Sequence, residues 1–279
     1  MENIRRIYLN NKMRRMTVRN QNWIAVVVGA TGSGKTYGAL ETSDDMMGRK
    51  LDPYTHIVFS IEEFMTNLNA NKFKKGQIVV FEEAGVNISS KNWQSKANKN
   101  INFVLQTCRH RNFGIVFTLP MFAFLDSSTR ALIHTAFVTD EIDYMRGLAY
   151  LRVFDIKVDA LRGTDPYMIY PKFRINHEVI TMKRIACKMP RQELVDVYEE
   201  RKQQFTNKLN KDIEMQLKAE SRQTEEKNKD ILPCPVCLGR SWREKNKSGT
   251  WRCRKCGNEV GVNPYTLDNG KGITTTDQK

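Results

Sequence analysis

The octapeptide Gly29-Ala-Thr-Gly-Ser-Gly-Lys-Thr36, entered from the run Trp23-Ile-Ala-Val-Val-Val28, constrains this 279-residue chain more than any other stretch. A short, continuous apolar run rich in β-branched residues and bounded by glycine reads as a strand buried on both faces. Residues from Lys35 to about Met47 read as a helix that ends near Gly48. A strand that turns through glycines into a helix aims backbone N–H groups and a helix N-terminus at one point, which is a site for phosphate. Gly29, Ala30, Thr31, Gly32, Ser33 and Gly34 form the wrap. Lys35 is placed to reach the β- and γ-phosphates, and the Thr36 hydroxyl is placed to ligate Mg2+, as the spacing G-x-x-x-x-G-K-[ST] requires. A nucleoside triphosphate is the ligand this pattern implies, with ATP and Mg2+ the expected cofactors.

Further strands alternate with helices. His56-Ile-Val-Phe-Ser60, Gln77-Ile-Val-Val-Phe81, Gly114-Ile-Val-Phe-Thr118 and Ala136-Phe-Val138 are strand-like, with helices over 61–70, about 100–109 and about 127–134 between them. That alternation predicts an α/β fold: a central, mostly parallel sheet with helices on both faces. Leu151–Val158 and Tyr167–Tyr170 alternate around turn residues and predict an added antiparallel hairpin. From Pro190 to about Lys227, apolar residues lie mostly four apart on a charged background, which predicts a long helix. It either lies across the sheet domain, pairs with a neighbouring subunit or acts as a solvated spacer. The expected organisation is a basic arm (1–22), a nucleotide-binding domain (23–189), a charged helix and linker (190–230), a cysteine module (231–262) and a polar tail (263–279).

The third strand ends in Glu82-Glu83. An acid at that place can hold the Mg2+ shell and its neighbour can orient or deprotonate water, so Glu82 takes the first role and Glu83 the second. Two acids favour hydrolysis over storage of the nucleotide. Arg109, Arg111 and Arg130 are candidates for stabilising charge on a neighbouring subunit's nucleotide, which would require a homo-oligomer. Surface or polyanion-facing roles for these arginines remain open.

Cys234-Pro-Val-Cys237 and Cys253-Arg-Lys-Cys256 stand fifteen residues apart. C-x2-C-x15-C-x2-C is a tetrahedral Zn2+ pattern, and in a chain with no apolar leader it argues for metal over disulfides. All four thiolates are used, so the site is structural. Trp242 and Trp251 either stack on bases or pack the small core. Cys108 and Cys187 read as buried thiols, and the four histidines show no ligand spacing.

The formal charge is +14, carried by 45 Lys and Arg against 31 acids. It is uneven: residues 1–22 hold six bases against one acid, and residues 234–279 hold nine against four. Basic ends on a near-neutral body fit a polyanionic partner, with solubilising tails as the alternative. The longest apolar run, Trp23 to Ala30, falls far short of the ~20 residues of a spanning helix, so no direct membrane insertion is expected. The start of the chain lacks the apolar core of a secretion signal, which points to the cytoplasm.

The order of these motifs resembles the FtsK–HerA superfamily of P-loop ATPases, including viral DNA-packaging ATPases, and is similar to the zonula-occludens-toxin-like ATPases of phage assembly. The resemblance spans roughly residues 22 to 200 and includes the closing pattern Pro190, Leu194, Tyr198. It departs at Glu82-Glu83, where the family usually has Asp-Glu, and at Thr118-Leu119-Pro120, where the family usually has glutamine after the threonine. Thr118 is therefore the polar candidate for sensing the nucleotide. The resemblance implies a RecA-like P-loop NTPase fold with an appended zinc ribbon. It also implies a hexameric, ATP-driven motor on double-stranded DNA, in the host cytoplasm if viral, with a capsid or portal-like protein as a further partner. The alternative it carries is a virion-assembly or secretion ATPase that does not act on DNA.

Overall fold

The computed structural model describes residues 2–82, 102, 105, 106, 108–159, 166–175, 177–229, 231–245, 249–261 and 263–265. It divides into two compact units, Met1–Phe205 and Thr206–Lys279. The larger is built on one eight-stranded sheet.

Five strands form its parallel body: β1 (Trp23–Val28), β2 (Ile57–Val58), β3 (Ile78–Phe81), β4 (Gly114–Leu119) and β5 (Thr135–Asp143). They lie in the order β5-β1-β4-β3-β2. β1, β3 and β4 are buried along their whole length, which explains why each reads as an unbroken apolar run. Their side chains alternate between two cores. Trp23, Ala25, Val27, Ile78, Val80 and Val116 face one core, while Ile24, Val26, Val79, Phe81, Ile115 and Phe117 face the other. The first core is covered by α1 (Glu2–Thr17), α2 (Lys35–Met46) and the start of the last helix; the second takes Phe64 and Leu68 of α4 (Ile61–Asn69). The one-turn helix α3 (Pro53–His56) leads into β2, and α5 (Ser127–Leu132) leads into β5.

Beyond β5 the sheet turns antiparallel. β6 (Leu148–Lys157) pairs with β5 along nearly its whole length, and then with both β10 (Arg184–Lys188) and β7 (Tyr167–Ile169) on its far side. The expected hairpin of β6 and β7 is present, but it is the minor pairing. The pairing of β5 with β6 and the extension of β5 to Asp143 were not expected from sequence, and the separate pair β8 (Lys172–Ile175) with β9 (Glu178–Thr181), and β10, lie outside the strands that were. Apolar patterning stops at Val138, and the outer half of β5 reads Asp140-Glu-Ile-Asp143, so backbone pairing extends that strand without an apolar signal.

Residues 2–17 form a docked helix and not a free arm. Tyr8, Leu9 and Met16 of α1 are buried in the first core. Three of the six N-terminal bases are held inside the fold. Arg5 pairs with Asp45, Lys12 with Asp155, and Arg15 donates to the Asn22 carbonyl and contacts His134. Arg6, Arg14 and Arg19 stay exposed.

The last helix, α6 (Gln192–Lys229), begins in the larger unit, where Leu194, Val195 and Tyr198 are buried. The smaller unit carries the rest of α6 and a three-stranded antiparallel sheet of β11 (Trp242–Lys245), β12 (Thr250–Cys253) and β13 (Glu259–Val260).

Candidate functional site

The glycine loop leaves β1 at its C-terminal end and enters α2 through Gly34, whose φ of 80° is left-handed backbone that favours glycine. Gly29 is required for a different reason. A Cβ there would fall 1.8 Å from Thr139 Oγ1 of β5, so only hydrogen fits. Thr139 in turn donates to Ser33 Oγ at 3.0 Å, and Ser33 donates to the Ala30 carbonyl at 2.6 Å. The loop is thus tied across its own mouth and to the adjacent strand. Lys35 Nζ folds back onto the Ala30 carbonyl at 3.0 Å, within the cradle it is expected to serve.

Glu82 stands at the exit of β3 and is 2% exposed. Three hydroxyls donate to it: Thr36 to Oε1 at 2.8 Å, Tyr198 to Oε1 at 2.7 Å and Thr118 to Oε2 at 2.7 Å. A buried carboxylate keeps its charge only when it is well solvated by donors, and here three elements supply them. The Thr36 contact also sets the chemistry of that hydroxyl. With its proton on Glu82, its lone pairs are left for a cation. This donor set fits Mg2+, with Thr36 as ligand and Glu82 behind it.

A cavity of about 600 Å3 opens beside the loop. Gly34, Lys35 and Thr36 form its phosphate end; Ile142, Leu148 and Ala149 of the β5–β6 ribbon and Met189 give it an apolar wall. That division suits a ligand with a charged tail and a flat apolar head. Cys187 is also in the lining, but burial pushes its thiol up to about 11, so it stays a neutral packing group. Burial, the Glu82 charge and the hydrogen bond to Glu82 push the Tyr198 phenol far up, and it remains a donor.

The arginines lie elsewhere. Arg111 sits in a one-turn 3-10 helix (Cys108–Arg111) before β4, at the N-terminal ends of the strands, and donates to Asn71 Oδ1 and the Leu68 carbonyl at the end of α4. Arg109 shares that turn. Arg130 is half-buried on α5, and its Nε is buried with no hydrogen-bond partner among the described residues. Glu83 lies outside the described residues. The structure therefore brings Lys35, Thr36, Glu82 and Thr118 together, and it adds Tyr198 and Lys202 from α6. In sequence Tyr198 stands out as one member of an apolar stripe and of the closing pattern Pro190, Leu194, Tyr198, neither of which gives it a place at the nucleotide site. Lys202 is one charge among many, and its only signal is the i+4 spacing that puts it on the same face as Tyr198.

In the smaller unit, the Sγ atoms of Cys234, Cys237, Cys253 and Cys256 all lie within 4.8 Å of one another. The closest pairs, Cys234–Cys256 at 3.5 Å and Cys237–Cys253 at 3.6 Å, are far too long for a disulfide. They match the edge of a tetrahedron with Zn–S distances of about 2.3 Å. Trp242 is buried with Cys234, Cys253 and Val260, and its Nε1 donates to the Leu232 carbonyl at 2.9 Å. Of the two uses open to it, Trp242 packs the module's core.

Strand order β5-β1-β4-β3-β2, a glycine loop after β1 and a buried acid at the end of β3 define a P-loop nucleotide-binding fold of the RecA-like type, with β4 inserted between the loop strand and the acid strand. No family model matches the chain. No curated protein matches it either. Among solved structures it is similar to the N-terminal domain of zonular occludens toxin from Neisseria meningitidis, at 15% identity over 64% of this chain and 99% of that one, TM-score 0.33. It is also similar to the genome packaging NTPase B204 from Sulfolobus turreted icosahedral virus 2, at 12% identity over 54% and 98%, TM-score 0.34. A third is EssC (ATPases 2 and 3) from Geobacillus thermodenitrificans, at 8% identity over 67% and 44%, TM-score 0.34. These are likenesses of fold, and the class stands on the strand order, loop and acid of this chain.

Proposed function

We propose that the chain is an ATP-hydrolysing motor that moves double-stranded DNA and packages the genome of a virus or mobile element. It would work in the cytoplasm as a homo-oligomeric, hexameric ring. The observation that carries the ATPase part is the buried Glu82, held by hydroxyls from α2, β4 and α6 at the phosphate end of the cavity. Gly29 to Gly34 wrap the phosphates, Lys35 neutralises them, and Thr36 with Glu82 would hold Mg2+, which supplies further charge neutralisation. Glu83 orients the attacking water, Thr118 couples β4 to Glu82, and one of Arg109, Arg111 and Arg130 serves the neighbouring subunit. The motif order supports the DNA part, together with exposed Arg6, Arg14 and Arg19 and the basic cysteine module, which would hold Zn2+. A capsid or portal-like protein is the further partner this reading expects.

One observation favours a second reading, a virion-assembly or secretion ATPase that does not touch DNA. Half of the N-terminal bases are spent on Asp45, Asp155 and main-chain or histidine partners inside the fold. Among the described residues no helix is long and apolar enough to cross a membrane. The test is ATP hydrolysis by the full chain with and without double-stranded DNA, beside Lys35→Ala. Stimulation by DNA that is lost in Lys35→Ala supports the motor. Hydrolysis indifferent to DNA supports the assembly ATPase, and none in a zinc-loaded oligomer refutes both.

A further inference from the structure

Glu82 has a fourth neighbour that the P-loop pattern does not account for. Lys202, on α6 one turn after Tyr198, places Nζ 3.6 Å from Glu82 Oε1 and donates to the Tyr198 hydroxyl at 2.9 Å. Thr36 is 2.8 Å from that same Glu82 oxygen, so Lys202 stands beside the metal and γ-phosphate end of the site. It also lines the cavity with Gly34, Lys35 and Thr36, and its side chain is 37% exposed. Its mount is rigid. Tyr198 stacks on Phe59 with ring centroids 6.1 Å apart, and Arg201 anchors the same turn on the Ile57 carbonyl at 2.8 Å and on Glu63.

A lysine ammonium has three donors. One is spent on Tyr198, and the flexible stem can swing the head while Tyr198 keeps hold of Glu82. A lysine held beside an acid at this end of the site can exchange that acid for a terminal phosphate, as a cation that reads the γ position must. We propose that Lys202 is a γ-phosphate-binding residue supplied in cis by α6, with Tyr198 as its positioning residue. The inference rests on the nucleotide-binding reading of the same site. Lys35 keeps its contact with the β-phosphate in either nucleotide state, whereas Lys202 discriminates ATP from ADP.

The experiment is equilibrium binding of two fluorescent nucleotides, a non-hydrolysable ATP analogue and ADP, to the full chain with Mg2+, alongside thermal melting. In Lys202→Met, affinity for the analogue falls by roughly 10- to 100-fold, the size of a lost hydrogen bond to a charged group. Affinity for ADP stays within about threefold of wild type, and Lys202→Arg recovers most of the analogue's binding. If Lys202→Met fails to fold, Tyr198→Phe carries the test, with a smaller loss confined to the analogue. Equal losses for both nucleotides, or no loss for either, would overturn the assignment and leave Lys202 a structural ion pair. Should wild type bind neither nucleotide, or Lys35→Ala bind both as wild type does, the nucleotide reading itself fails and takes this one with it. Wild-type binding that Lys35→Ala abolishes while Lys202→Met preserves it sinks only the role of Lys202.

Discussion

At the scale of single residues, the site is a contest over one carboxylate. Glu82 is buried, and its three hydroxyl donors come from three different elements, α2, β4 and α6. Thr118→Val keeps the shape of β4 but leaves Oε2 without that donor. The expected cost is about 1–3 kcal/mol of stability, read as a lower melting midpoint in urea. Nucleotide affinity should hold, because Lys35 and the loop are untouched, while kcat falls by up to about 100-fold as Glu82 loses its orientation. If Thr118→Val hydrolyses ATP at the wild-type rate, Thr118 is packing only. Gly29→Ala makes the opposite kind of change. Its Cβ would collide with Thr139 Oγ1, so the loop must leave β5 and the cradle opens. Nucleotide binding should be lost in that variant while far-ultraviolet circular dichroism still reports a folded sheet.

At the scale of elements, α1 and the start of α6 clamp the same face of the sheet. Tyr8 of α1 donates to Asp155 Oδ1 at 2.9 Å and shares Thr135 with Trp23. Arg191, just before α6, pairs with the fully buried Asp44 of α2 at 2.8 Å. Deleting residues 2–17 therefore exposes the first core, and the truncated chain should lose its cooperative melt. The triple change of Arg6, Arg14 and Arg19 to alanine should melt as the full chain does, and lower only affinity for a polyanion and its salt slope. A cooperative melt in the truncated chain would mean α1 is dispensable. The burial of this helix was hidden in the sequence because its charge dominates. Ile4, Tyr8, Met13 and Met16 have helical spacing, but five bases lie among them. β1, β3 and β4 were legible because strands buried on both faces leave unbroken apolar runs. β8, β9 and β10 were not, because short, half-exposed strands such as Lys172-Phe-Arg-Ile175 show too few residues for a period to register. The site divides in the same way. Thr36 and Glu82 were readable from motif chemistry, whereas Tyr198 and Lys202 become part of it only when α6 folds back on the sheet.

At the scale of the whole molecule, the chain joins a unit that folds on its own core to one that cannot. Residues Met1–Phe205 bury two apolar clusters against a sheet. Among the described residues the cysteine module buries Trp242, Val260, Cys234 and Cys253, with Ile231, Cys237 and Trp251 partly buried against them. So small a core does not offset the entropy of ordering its strands, and a bound metal is the expected remainder. The Sγ atoms of the four cysteines all lie within 4.8 Å of one another, the spacing of a tetrahedral site, which fits an ion at the centre. Purified chain should carry one zinc per molecule by elemental analysis, and Cys234→Ser should reduce it. Chelation should release residues 231–265 to protease, with cleavage in the segments around β11 and β12, while the melting of the sheet unit is unchanged. Separate responses are expected because the four cysteines and the core formed by β1, β3 and β4 belong to different units. A chelator that lowered both transitions together would show that the sheet unit depends on the module, and one that altered neither would show that the four cysteines hold no metal.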